Sequence, residues 1–275
     1  ALEHAVFMAK MNKADLIMLH VIETFSFTSA IGHAMKGTSF EAKAEEIVQA
    51  KLNETAEKIK KSDGISVKTD IRLGRTHKVI LQAAKETNSD LIIMGTHGVS
   101  GFQEFVVGSN ASRVMSASSC PVFTVQQHSD KVGYKNIVLP IDDSKHSREK
   151  VNFAIGLAQQ YNAKIHLVAF NMDGSDETLK KLTLQVHQLE DIFKKRDVFY
   201  TTKIEETEDN VESILEYCDK VNADVMIIMT EQEFDFKGVL FGPAAQRLVN
   251  HSKVPVISIR PHYNPEMIEF HGYGW

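Results

Sequence analysis

Cysteine is nearly absent. Cys120 and Cys218 are the only two in 275 residues, and they stand in different halves of the chain. That excludes a disulfide framework and suits a reducing compartment. Both are read as small core hydrophobes. Long apolar runs are also missing, and nothing approaches the ~20 residues that a membrane span needs. There is no excess of basic charge. The formal net charge is −5, which argues against a general nucleic-acid binder. Residues 1–5 carry neither the basic region nor the apolar block of a signal peptide. The twelve histidines are scattered, with no His-Glu-x-x-His and no Cys-x-x-Cys, so no metal site is assigned. No Gly-x-Ser-x-Gly elbow occurs, and no catalytic residue is assigned. The remaining composition, 43% hydrophobic and 24% charged, is that of an ordinary globular protein.

One stretch organises what is there. The apolar run Leu91-Ile92-Ile93-Met94 stops at Gly95. Gly98 and Gly101 follow, then Gly108-Ser109-Asn110, and then a helical pattern from Ala111. The order is buried strand, glycine-rich loop, helix N-terminus. Glycines let backbone N–H groups approach a ligand closely. A helix start adds free N–H donors and a partial positive charge of roughly half a unit. The pattern therefore suits an anion, and the Ser109 hydroxyl can donate to a phosphate oxygen. It is not a P-loop, since no lysine lies between Gly95 and Asn110. Nor does it have the tight glycine spacing of the dinucleotide fingerprint.

The chain also repeats itself. Residues 1–21 align without a gap on 150–170, with Ala5, Ala9 and Ala14 falling on Ala154, Ala158 and Ala163. Ser89-Asp90-Leu91 matches Ala223-Asp224-Val225, and Cys120-Pro121-Val122 matches Val254-Pro255-Val256. Three blocks in one order indicate a duplicated domain, with copies over 1–130 and 131–275. Apolar runs alternate with amphipathic stretches in both copies, which predicts parallel sheets with crossover helices. The fold class expected is α/β, as two tandem open five-stranded sandwiches. The first copy has nothing opposite residues 136–149, so it is expected to lack its first strand, and comparable sequence is expected upstream of Ala1. The apolar last strands, 121–126 and 254–259, are edge strands and are expected to pair with each other about a pseudo-two-fold axis.

The glycine pattern (Gly95, two residues, Gly98, nine residues, Gly108-Ser109) after a late strand resembles the ATP-binding motif of the universal stress protein family. The repeat carries the resemblance through both halves. It implies an adenine nucleotide α-hydrolase-like fold, a cytoplasmic stress-response role and ATP as ligand, with Mg left open. The binding residues it implies are Val21, Met94, Gly95, His97, Gly98, Gly108, Ser109 and Asn110. Val21 would lie near the base and the others around the phosphates. The residues themselves leave alternatives open: Val21 as plain core, His97 as a solvated loop residue.

The resemblance also places an adenine-side aspartate at Asp142, which the residues alone read equally as a turn or cap. The second loop is degenerate. Glu231, Glu233 and Asp235 bring negative charge, and Pro243 removes both an N–H and a hydroxyl. That loop is read as one residue shorter than the first. Regulation or binding is expected rather than turnover, with at most weak ATP hydrolysis. No nucleic acid or membrane partner is expected; a homodimer stays open. The alternative is a member that binds no nucleotide and acts through protein contacts. The connection over 25–37 is expected to act as a rim or lid, and the aromatic tail over 261–275 as a docking segment.

Overall fold

The computed structural model describes residues 1–23, 39–96, 107–126, 129, 132–142, 145–230 and 242–261. For 39–42, 44, 145 and 146 it describes the backbone only. The 25–37 connection, His97, Gly98, the acidic second loop and the tail beyond Pro261 lie outside the described residues. By compactness the chain divides into two units, Ala1–Ile93 and Met94–Trp275.

The first unit contains α1 (Leu2–Asn12), β1 (Leu16–Glu23), α2 (Ser39–Asp63), β2 (Val67–Gly74) and α3 (Thr76–Glu86). β1 and β2 form a parallel pair from Leu16↔Val67 to Glu23↔Gly74. Its core is small. Ala9, Ile59 and Ile65 are buried together, with Val6, Leu16, Met18 and Val67 packed around them. Strand β3 (Ile92–Gly95) straddles the boundary between the units.

The second unit goes on with α4 (Ser109–Ala117), β4 (Val122–Val125), β5 (Asn136–Ile141) and a 3-10 turn (Lys145–Arg148). Then follow α5 (Val151–Tyr161), β6 (Lys164–Asn171), α6 (Asp176–Lys195), β7 (Phe199–Glu206), α7 (Asn210–Lys220), β8 (Val225–Met229), α8 (Pro243–His251) and β9 (Val256–Ile259). The helix ends follow the side-chain chemistry. Ser175 caps α6 through Thr178 N–H, with Asp176 and Glu177 in the first turn and Lys194 and Lys195 in the last. Asp209 caps α7 through the N–H groups of Val211 and Glu212.

The strand order β7-β6-β5-β8-β9 is the complete parallel set of the second copy. Strands β5, β6 and β8 are buried almost throughout, as their unbroken apolar runs require. At β9 the sheet continues into β4, antiparallel, with Val122↔Ser258, Phe123↔Ile257 and Thr124↔Val256. This is the pairing expected of the two last strands. β3 follows β4 in the same seven-stranded sheet.

The chain is α/β with two repeats of one unit, but the four strands of the first copy are divided. β3 and β4 join the seven-stranded sheet, while β1 and β2 form a separate pair. Among the described residues no strand of the first copy corresponds to β5.

The repeat is written into the backbone as well. Lys13 and Asn162 end α1 and α5 in the left-handed conformation, at φ 50° and 47°. Asn88 and Asn222 do the same after α3 and α7, at φ 47° and 50°. Asparagine tolerates this region better than lysine does. Ser118 Oγ bridges the carbonyl and N–H of Cys120, and Ser252 Oγ does the same for Val254.

Candidate functional site

The glycine-rich stretch leaves the sheet at the end of β3. There Thr96 is buried, and its N–H donates to the Val125 carbonyl at 3.2 Å. The chain is described again from Val107. Gly108 N–H donates back to the Thr96 carbonyl at 2.8 Å, and α4 starts at Ser109. Strand end and helix start are thus clamped together. A Cβ on Gly108 would stand 3.1 Å from the Thr96 oxygen. That is too close for comfort, which explains the glycine at a position whose φ of −56° makes no demand of its own.

Helix α4 begins without a side-chain cap and without an acidic residue in its first turn. A helix start of this kind offers N–H donors and the positive end of the dipole. Ser109 is exposed and Asn110 is half-buried at this end. Ala111, Val114 and Met115 anchor the other face of the helix. The loop is also tied to the second copy: Val107 N–H donates to Asn250 Oδ1 at 2.7 Å.

Of the residues expected at the site, Met94, Gly95, Gly108, Ser109 and Asn110 lie along this strand-to-helix passage, with Met94 half-buried and Gly95 exposed. Val21 belongs to the other unit, near the end of β1, and is half-buried. His97 and Gly98 lie outside the described residues.

The second copy repeats the clamp. Thr230 N–H donates to the Ile259 carbonyl at 2.9 Å, and Gly242 N–H to the Thr230 carbonyl at 2.9 Å. Thr96 precedes Gly108 by as many residues as Thr230 precedes Gly242. The two loops are therefore equal in length, and the expected one-residue difference is corrected. Hydrogen bonding matches Thr230 to Thr96 and Met229 to Gly95, one position off the sequence alignment, because the glycines misled the comparison. Pro243 occupies the first position of α8 where Ser109 begins α4. The second helix start thus has no N–H or hydroxyl at that position.

Asp142 follows β5 directly in the second copy. Its N–H donates to Ser147 Oγ at 3.0 Å, closing the turn before α5. Lys150, which sequence reasoning missed, is buried just before α5. Burial pushes its ammonium down to about 8, and the Asp142 charge opposes that shift. The signal was present: Lys150 falls on the same four-residue row as the buried Ala154 and Ala158. The two cysteines differ. Cys218 is buried and its thiol is pushed up to about 12, while Cys120 is half-buried beside Ser118. Among the described residues no group of three His, Cys, Asp or Glu is placed to hold a metal ion, and no helix is long and apolar enough to cross a membrane.

Comparison with known proteins identifies the family. The model of the universal stress protein family matches residues 1–126 and again 133–260. A universal stress protein of Bacillus subtilis is 33% identical over 134 residues, 46% of this chain and 88% of that protein. One of Methanocaldococcus jannaschii is 32% identical over 140 residues, 46% of this chain and 86% of that protein. Among solved structures, a universal stress protein from Archaeoglobus fulgidus superposes with a TM-score of 0.72 at 20% identity. It covers 94% of this chain and 91% of its own. With its family matched twice in tandem, the chain belongs to the universal stress protein family.

Proposed function

We propose that the first copy binds an adenine nucleotide, ATP, and that the protein acts as a regulatory binder in a stress response rather than a metabolic enzyme. The observation that carries this is the start of α4. It has no cap and no acidic residue, it is held against Thr96 by Gly108, and it presents Ser109 to solvent. Such a helix start is complementary to a phosphate. The described residues therefore fit the ligand that the glycine pattern implies. Gly108 and Ser109 would hold phosphate oxygens through N–H and hydroxyl donors. Met94, Gly95, His97, Gly98, Asn110 and Val21 are the remaining proposed contacts. Any Mg2+ would come with the phosphates rather than on a carboxylate cluster.

The second copy is proposed not to bind a polyphosphate, because Pro243 replaces Ser109 and the loop carries Glu231, Glu233 and Asp235. Isothermal titration calorimetry with ATP on the intact chain tests the reading. One site per chain is expected; no heat, or two equivalent sites, would count against it. Mass spectrometry of small molecules released on denaturing the freshly purified protein gives an independent answer.

A further inference from the structure

Across the join at β4 and β9 the two copies do not treat each other alike. The spacing that pairs Thr96 with Thr230 and Gly108 with Gly242 makes Asn250 the counterpart of Ser116, and Ser258 the counterpart of Thr124. Asn250 lies in the last turn of α8, half-buried, and its Oδ1 accepts the N–H of Val107 at 2.7 Å. Val107 is buried and stands immediately before Gly108, where the glycine-rich stretch turns into α4. Ser116 is turned inward instead: its Oγ donates within its own helix, to the Ser112 carbonyl at 2.9 Å. Ser258 Oγ on β9 donates to Met115 Sδ of α4 at 3.4 Å, while Thr124 Oγ1 on β4 donates to the Val256 carbonyl and stays within the sheet. In the other direction Gln126 Nε2 donates to the Val249 carbonyl at 3.2 Å, at the C-terminal end of α8 and away from its loop. All of these residues belong to the unit Met94–Trp275.

Two identical copies about a two-fold axis make every contact twice. A duplicated chain is free to make one of them once. Here that contact falls on the start of α4. Two successive N–H groups fix the turn into the helix: Val107 donates to Asn250 Oδ1, and Gly108 to the Thr96 carbonyl at 2.8 Å. Each peptide unit is planar, so these two bonds orient the peptides on either side of Val107. The Gly108 carbonyl then accepts the Ser112 N–H at 3.1 Å, which opens the helix. The direction in which the leading N–H groups of α4 are aimed, from Ser109 on, follows from that turn. Without Asn250 the buried Val107 N–H loses its acceptor, and a buried donor without one is costly enough to move the loop.

We propose that Asn250 is a positioning residue for the phosphate loop of the first copy, and that the second copy, whose own helix starts at Pro243, serves as the brace of that loop. The proposal rests on the reading of the α4 start as a phosphate site. Asn250 touches no ligand in this role; it acts through the backbone of Val107 and Gly108. Donors held in place before binding give higher affinity than donors that must be ordered by it. Removing the brace therefore weakens phosphate binding without removing any donor to the phosphate.

The test uses the intact chain, ATP and three variants. Asn250→Ala removes the acceptor. Asn250→Asp keeps an acceptor oxygen at the same reach. Ser258→Ala removes the contact to Met115 and leaves Asn250 in place. Amide hydrogen exchange without nucleotide reads the loop directly. In Asn250→Ala the protection of Val107, Gly108 and Ser112 should fall about tenfold, while their counterparts Gly242 and Gln246 in the second copy keep theirs. Asn250→Asp should restore that protection; its added charge makes the amides, not ATP affinity, the measure of rescue. In calorimetry Asn250→Ala should lower ATP affinity about tenfold. Ser258→Ala should leave ATP affinity within about twofold of wild type even where its melting midpoint drops. Unchanged protection at Val107 and Gly108 in Asn250→Ala would overturn the proposal, as would a loosened loop with unchanged ATP affinity. Protection lost equally at Gly242 and Gln246 would also overturn it, making Asn250 an ordinary contributor to the join. A wild-type chain that takes up no ATP, yet whose loop loosens in Asn250→Ala and recovers in Asn250→Asp, would overturn the nucleotide reading alone and support the brace.

Discussion

Phe123 of β4 stands directly opposite Ile257 of β9 in an antiparallel register. Each is also the other's counterpart in the repeat, so the local two-fold axis relating the last strands passes through this pair. Both side chains are fully buried. Phe123 also meets Tyr134 edge-on at 5.7 Å between ring centres, and Tyr134 meets Tyr161 at 5.2 Å. The join between the copies is thus a small aromatic core, not only a ladder of backbone hydrogen bonds.

Phe123→Ala should therefore cost about 3–5 kcal/mol, the usual range for removing a buried ring. Phe199→Ala, at the start of edge strand β7 and 65% exposed, should cost well under 1 kcal/mol. Urea unfolding of both variants measures the contrast. Equal losses would mean that the β4–β9 join contributes little.

Ser109→Pro imports the residue of the second copy into the first. Pro243 already starts α8 in the same clamp, so the fold should accept the change with a shift of about 0.5 kcal/mol or less. Binding should suffer, because one N–H and one hydroxyl are lost. Donors to a charged group contribute roughly 1.5–3 kcal/mol each, so ATP affinity should fall tenfold or more in calorimetry. Gly108→Val is less clean. The added side chain would press on the Thr96 carbonyl and disturb the helix start as well as the site.

Asp224→Ala should destabilise the chain by about 2–3 kcal/mol, since the N–H groups of Lys135 and Asn136 lose a charged acceptor. Asp90→Ala should change stability by no more than about 0.5 kcal/mol, because Asp90 is exposed. Thermal melting of the two variants reads this directly.

Lys150 gives a pH signature. Its folded pKa lies near 8, below the ordinary 10.5, because burial penalises the charge. The unfolded chain therefore holds more protons between about pH 8 and 10.5, and this group's contribution to stability rises with pH across that window. Below pH 8 both states are protonated and the full burial penalty applies. Lys150→Met should raise stability at pH 7 by on the order of 1–3 kcal/mol, with the gain fading towards pH 10.5. Cys218 acts the other way, because its thiol is held neutral up to about 12 in the fold. The wild-type minus variant difference isolates the lysine. A gain that is flat from pH 7 to 10.5 would show that Lys150 is not titrating in the fold.

His166 gives an acid signature. Its Nδ1 lies 2.8 Å from Thr201 Oγ1 and its Nε2 3.1 Å from Asn136 Oδ1. Burial and the nearby Lys164 charge lower its pKa from the ordinary 6.5. The unfolded chain takes up a proton first, so stability should fall as pH drops below about 6.5. His166→Gln should reduce that dependence in denaturant melts at pH 5 and pH 7; an unchanged slope would contradict it.

The order of elements, the duplication and the place of the glycine loop were legible in the residues, because they rest on local chemistry. β5 was read to the residue, Asn136–Ile141, from one apolar run bounded by turn residues. The passage from Met94 to Ser109 was read from a strand pattern that stops at a glycine and a helix pattern that starts after another. The glycine alignment of the two loops failed by one position, because what pairs Thr96 with Thr230 is a hydrogen bond to a distant strand, from Val125 in one copy and Ile259 in the other.

The same holds for the division of the first copy between two sheets, for the exposure of Asp90 against the burial of Asp224, and for the low pKa of Lys150. A strand's own residues specify that it is extended and which faces are apolar. Which neighbour lies on each edge, and how far a charge is taken out of water, depend on residues a hundred positions away, and only the tertiary structure brings those together.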